Sequence, residues 1–161
     1  MGKLWPVTSE IDVQNSKVRF GLKKKLLIVD DEEDICELLV NVLQDDEHEI
    51  VTARNGQEGL LLARKNQFDC ILTDINMPIM TGLEFIRELR EESKTIPVIF
   101  FTAFNDHENM RRALKYGAFD FVSKPNFEKL KSIVQAACDS GEASKSVPGV
   151  NSVLGKIKDI I

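Results

Sequence analysis

The sequence predicts an α/β fold, a doubly wound five-stranded parallel sheet with helices on both faces. Three observations carry that expectation. Five short runs rich in Ile, Val, Leu and Phe recur along the chain, the composition of strands buried on both faces. Between them lie segments whose apolar residues repeat at helical spacing. Those segments are too long for tight hairpins, so successive strands join through right-handed crossovers and run parallel.

Residues 25–29 form the first strand, ending abruptly at Asp30-Asp31. Ile35, Leu38, Leu39, Val42 and Leu43 then line one helix face, and Glu32, Glu33 and Asp34 in its first turn favour a helix N-terminus. Residues 49–53 read as the second strand. Asn55-Gly56 reads as a turn before a short helix over 59–65. The third strand, 68–73, ends at Asp74, and Met77-Pro78 breaks the chain. Leu83, Ile86, Leu89 and Arg90, at helical spacing, give the third helix, over 82–92, and residues 97–101 the fourth strand, ending at Thr102. Asn105 with Glu108 resembles a cap opening the fourth helix, and Gly117 is a left-handed stop. Residues 119–123 are the fifth strand, followed by Lys124-Pro125. Phe127, Leu130, Ile133, Val134 and Ala137 line the last helix.

Composition excludes several classes. Hydrophobic residues make up 43% and charged residues 29% of 161, ordinary for a globular chain and unlike a disordered or coiled-coil one. The formal net charge of −5 leaves no cation surplus for nucleic acid. No apolar run approaches the roughly 18 residues that span a bilayer. Three sparse cysteines, Cys36, Cys70 and Cys138, read as buried thiols in a reducing compartment, which makes the cytoplasm the expected location.

In parallel sheets, ligands bind at the carboxyl ends of the strands. The predicted topology carries Asp30, Asp31, Asp74, Thr102 and Lys124 to that one edge. Three carboxylates crowded together repel, and one lysine does not offset them. A hard, oxygen-seeking cation does, and Mg²⁺ fits best. Metal, ammonium, hydroxyl and a spare carboxylate suit phosphoryl transfer, with a carboxylate as nucleophile. Asp74, central in the sheet, is the candidate.

Four segments carry a resemblance: Leu27-Ile28-Val29-Asp30-Asp31, Asp74-Ile75-Asn76-Met77-Pro78-Ile79-Met80-Thr81-Gly82, Pro97-Val98-Ile99-Phe100-Phe101-Thr102-Ala103, and Gly117-Ala118-Phe119-Asp120-Phe121-Val122-Ser123-Lys124-Pro125. In this order they closely resemble the receiver domain of bacterial two-component response regulators, over residues 24–140. The resemblance implies a flavodoxin-like sheet of strand order 2-1-3-4-5. It implies that Asp74 is the phosphoacceptor, loaded from a sensor histidine kinase or phosphotransfer protein. Asp31 and Asp74 would bind Mg²⁺ with the Asn76 carbonyl, Asp30 through water, while Lys124 and Thr102 would hold the phosphoryl group. Phe121 fills the position of the family's switch aromatic, and Ala103 is small enough to let the adjacent loop move. Phosphorylation would then reshape the face made by the fourth helix, fifth strand and fifth helix, which would meet a downstream effector protein or a second copy. The chain is expected not to be an enzyme beyond phosphorylating and dephosphorylating itself. Phe104, two residues after Thr102, is expected to shield the acyl phosphate. Phe104→Glu or Phe104→Ala should change the decay rate of the phosphorylated protein, and an unchanged half-life would refute the shielding role.

The flanks lie outside the resemblance. In residues 1–23, Ile11-Asp12-Val13 and Val18-Arg19-Phe20 alternate around Gln14-Asn15-Ser16-Lys17 as a small hairpin. Residues 141–161 hold a linker and a helical stripe of Val150, Val153, Leu154, Ile157, Ile160 and Ile161, too short for a DNA-binding domain. Output is therefore expected through protein contacts. Three other readings compete. A haloacid-dehalogenase-type phosphohydrolase wants Asp-x-Asp after the first strand, whereas Asp30 is followed by Asp31 and Glu32. An FMN carrier would need a phosphate-binding first loop, which these acids would repel. A non-phosphorylated pseudo-receiver scaffold is the third, and the intact acids, Thr102 and Lys124 weigh against it.

Overall fold

The computed structural model describes residues 23–103 and 107–143, with side chains to Ser140. The expected terminal hairpin and terminal helix, Phe104 and Asn105 lie outside the described residues. The elements are β1 (Lys24–Val29), α1 (Glu33–Leu43), β2 (His48–Ala53), α2 (Gly56–Lys65), β3 (Cys70–Thr73), α3 (Gly82–Glu91), β4 (Val98–Thr102), α4 (His107–Lys115), β5 (Asp120–Ser123) and α5 (Phe127–Ala143). All strand pairs are parallel, in the order β2-β1-β3-β4-β5.

The central strands read as unbroken apolar runs because both their faces are covered. In β1, Leu27 and Val29 join a core that includes Leu60, Phe85, Ile86, Leu89 and Phe100, under α2, α3 and α4. Leu26 and Ile28 point the other way, into a core with Leu39, Leu43, Leu130, Val134 and Ala137 from α1 and α5. Each large side chain so buried contributes roughly 1.5–3 kcal/mol. The three cysteines are buried free thiols, and burial pushes the Cys36 thiol up to about 11.

Two local expectations differ from the fold. Asn55-Gly56 is not a turn ahead of a later helix: Asn55 is the N-cap of α2, its side chain accepting from the Glu58 N–H at 2.9 Å. The same Asn preference for short backbone bonds serves both structures, and here the helix wins. Leu38 is 41% exposed, because the buried stripe of α1 centres on Cys36, Leu39 and Leu43.

Candidate functional site

Strand register builds the site. Val29 of β1 pairs with Thr73 of β3, so the next residues, Asp30 and Asp74, leave the sheet side by side. The Asp74 N–H donates to the Val29 carbonyl at 3.0 Å, and the Asp30 N–H to Ala53 at 3.0 Å. Thr102 of β4 pairs with Ser123 of β5, and the Lys124 N–H donates to the Thr102 carbonyl at 3.0 Å. All four expected side chains thus arrive at one sheet edge.

Asp30 and Asp74 are buried, Asp31 is exposed, and one oxygen from each lies within 4.8 Å of the others. Each buried carboxylate is oriented by main chain. Asp30 Oδ1 accepts from the Glu32 N–H at 3.0 Å, and Asp74 Oδ1 from the Ile75 N–H at 2.6 Å. Their Oδ2 atoms both accept from Lys124 Nζ, at 2.8 Å from Asp30 and 2.9 Å from Asp74. The Lys124 ammonium also lies 5.8 Å above the Phe101 ring. Thr102 is buried at the end of β4. Asn76 is exposed two residues beyond Asp74, and Ala103 is exposed just past β4. Phe121 is half-buried, its ring stacked on Phe100 at 5.3 Å between centroids.

The family model for the response regulator receiver domain matches residues 26–135. The chain belongs to that family. This receiver is 39% identical over 102 residues to a response regulator receiver protein of Anaeromyxobacter, covering 63% of this chain and 43% of that protein. It is 33% identical over 127 residues to the transcriptional regulatory protein ZraR of Klebsiella oxytoca, covering 78% of this chain and 29% of that protein. The receiver therefore spans less than half the length of these curated relatives. Among solved structures, the chemotaxis response regulator CheY4 of Vibrio cholerae superposes with a TM-score of 0.66 at 35% identity, covering 72% of this chain and 99% of that one. A CheY-like receiver domain protein of Methanospirillum hungatei gives 0.72 at 27% identity, with coverages of 76% and 99%. No helix among the described residues is long and apolar enough to cross a membrane.

Burial and charge together set the titration of the receiver's pocket. Burial raises the Asp30 carboxyl above its ordinary 3.8, and the single hydrogen-bonded ammonium of Lys124 does not reverse the effect. Burial also works against the charge on Lys124, but two carboxylates outweigh it and hold the amine above 10.5. Desolvation is thus the chief cause of the Asp30 shift, with the Asp74 charge adding to it, whereas the two carboxylates themselves raise Lys124. The ionised form of Asp30 is thus penalised in the fold. The penalty is present above its folded pKa and relieved as pH falls through it. Asp30→Asn keeps the acceptor for the Glu32 N–H and removes the charge. It is expected to melt at a higher temperature than the parent at neutral pH in metal-free buffer, with the gain shrinking on acidification. A lower melting temperature at neutral pH would count against this account.

Two contributors escaped the sequence reading. Glu32 is exposed, yet its carboxylate reaches to 3.7 Å of Lys124. Its place in the acidic run after β1 was visible, but its direction was not. Gly82 packs its α-carbon against the Asp74 carbonyl, where a β-carbon would stand 2.1 Å from that oxygen. The signal available was the position of Gly82 at the end of the segment that begins at Asp74.

Proposed function

We propose that this receiver takes a phosphoryl group onto Asp74 from the phosphohistidine of a sensor histidine kinase or phosphotransfer protein, and that the transfer switches a protein-interaction surface. The observation that carries this reading is the convergence of three carboxylates and one ammonium at the sheet edge. Asp74 is the acceptor because one of its oxygens is pinned by the Ile75 N–H while the other faces the cation. An Asp74 oxygen attacks phosphorus, the nitrogen–phosphorus bond breaks, and its electron pair stays on the departing imidazole. Lys124 exchanges its bond to Asp74 for one to a phosphoryl oxygen, and the Thr102 hydroxyl donates to another.

The donor set fits Mg²⁺. Mg²⁺ holds oxygens at about 2.1 Å, so two ligands on one ion lie at most about 4.2 Å apart. Oxygens already within 4.8 Å need only a small inward movement. Asp31 and Asp74 would hold the ion with the Asn76 carbonyl, and Asp30 would act through water. When bound, Mg²⁺ supplies the positive charge that lets carboxylates and phosphoryl oxygens share the pocket.

Movement of Thr102 toward the phosphoryl group would draw on Ala103 and open room for Phe121, which leaves its place on Phe100. The altered surface is the α4–β5–α5 face, whose partner is a downstream effector protein or a second copy. The reading sets the protein in the cytoplasm, without direct contact to nucleic acid. Acetyl phosphate with Mg²⁺ tests the chemistry, read by mass spectrometry as a labile phosphoryl adduct. The adduct is expected on the parent and absent from Asp74→Asn. A scaffold would show no adduct, and a phosphohydrolase would turn over the donor continuously.

A further inference from the structure

Arg90 sits on the last turn of α3, half-buried, and among the described residues its side chain donates to main-chain carbonyls alone. Its Nη1 donates to Lys94 at 2.6 Å, and Nη2 donates to Ile96 at 3.1 Å, both in the connection to β4. Its Nε donates to Tyr116 at 2.9 Å, and Nη2 also to Gly117 at 3.1 Å, both just past the end of α4. Those last two carbonyls belong to a tightly built helix stop. Gly117 has φ +73°, its N–H donates to Leu114 at 2.9 Å, and the Ala118 N–H donates to Ala113 at 3.0 Å. A planar cation at a helix C-terminus also meets the negative end of the helix dipole.

The rest of α4 buries little apolar surface. Ala113, near its C-terminal end, is its only fully buried side chain, and His107 and Glu108 at its start are exposed. Elements with little buried apolar surface are the ones that move at low free-energy cost. The opposite end of α3 is fixed to the site: Gly82 donates to the Ile75 carbonyl at 2.9 Å and packs on Asp74. A helix of ten residues, about 15 Å long, therefore joins the acceptor carboxylate's main chain to the far end of α4.

We infer that Arg90 is a positioning residue that anchors the C-terminal end of α4 as a pivot, so that phosphorylation swings the helix's N-terminal half and leaves residues 113–118 in place. This deepens the switch proposed above and rests on it. The guanidinium suits the task because its fork reaches two separate loops at once, which a single lysine ammonium cannot span. The consequence is directional: the surface that changes for a partner is the first half of α4, not the whole helix.

Hydrogen exchange read by mass spectrometry on the full chain tests this, with and without Mg²⁺ and beryllofluoride as the phosphoryl mimic. In the parent, beryllofluoride is expected to change exchange in peptides over 107–110 and leave 113–118 unaltered. In Arg90→Met, exchange over 113–118 should rise about tenfold even without the mimic and become responsive to it. Arg90→Lys should fall between the two, and its circular dichroism and melting curve show whether the fold persists. Unchanged exchange over 113–118 in both variants overturns the anchor on its own, whatever the mimic does. A response in the parent as large at 113–118 as at 107–110 overturns the pivot but spares the phosphoacceptor reading. No response anywhere in the parent overturns that reading and the pivot with it.

Discussion

Gly82→Ala is expected to lower the stability of this protein by roughly 2–4 kcal/mol, toward the upper end of what one added methyl group does in a packed interior. The β-carbon would stand 2.1 Å from the Asp74 carbonyl oxygen and 3.0 Å from Phe100 Cε1. The first neighbour is main chain and cannot rotate aside. It belongs to a residue whose N–H is bonded to Val29, the last residue of the neighbouring strand. The start of α3 must therefore retreat. Retreat strains the bond from Gly82 to Ile75 and the capping box between Thr81 and Glu84. It also draws Leu83, Phe85, Ile86 and Leu89, all buried, away from β3 and β4. The better helix propensity of alanine returns at most about 1 kcal/mol. Urea unfolding should show a lower midpoint with the slope unchanged. Gly117→Ala is the control. Its new methyl has no neighbour closer than 3.7 Å, so the cost is the left-handed backbone alone, about 1–2 kcal/mol. If Gly82→Ala were the milder of the two, the close approach at Asp74 would not matter as argued.

These two glycines mark where the sequence was legible and where it was not. Gly117 was read as a helix stop because a left-handed residue after a helix is a local requirement. Gly82 was seen only as part of a motif, because its role depends on a carbonyl eight residues away and on the path of the loop between. The same division runs through the site. That Asp30, Asp74, Thr102 and Lys124 share an edge follows from parallel strands, since every strand then ends on the same side. That Asp30 and Asp74 are adjacent follows from the register of Val29 with Thr73, which no single strand encodes. The burial of Leu38 was overestimated because a five-residue apolar stripe is wider than the face α1 presents to the sheet. Arg90 looked like one more helix-spacing residue. Its work lies in carbonyls of two other segments, brought to it only once α3 and α4 have packed.

Lys124→Met is expected to be the most damaging change at the site, because it keeps the volume and removes the one ammonium seen between two buried acids. Lys124 Nζ lies 2.8 Å from Asp30 and 2.9 Å from Asp74, with side chains only 3% and 11% exposed for the two acids. Deleting one partner of such a pair leaves uncompensated charge, worth about 3 kcal/mol or more. A first escape is protonation of Asp30, whose carboxyl burial already holds above 3.8. Without Lys124 that carboxyl rises further, so the stability lost at neutral pH should be recovered as the solution is acidified. A divalent cation offers a second escape. If the pocket holds Mg²⁺ as proposed, added Mg²⁺ should raise the melting temperature of Lys124→Met by more than it raises that of the parent, since an ion bound to the folded site alone stabilises it. Phosphoryl transfer should not recover in step. A metal can replace the neutralising charge, but not the donor that the proposed reaction needs at the incoming phosphoryl oxygen, and loss of one such donor slows a transfer about a hundredfold or more. Mg²⁺ would thus restore the fold of Lys124→Met while labelling by acetyl phosphate stays slow. A variant as stable as the parent at neutral pH without metal would mean that the pocket's surplus acid is held in check by something other than Lys124.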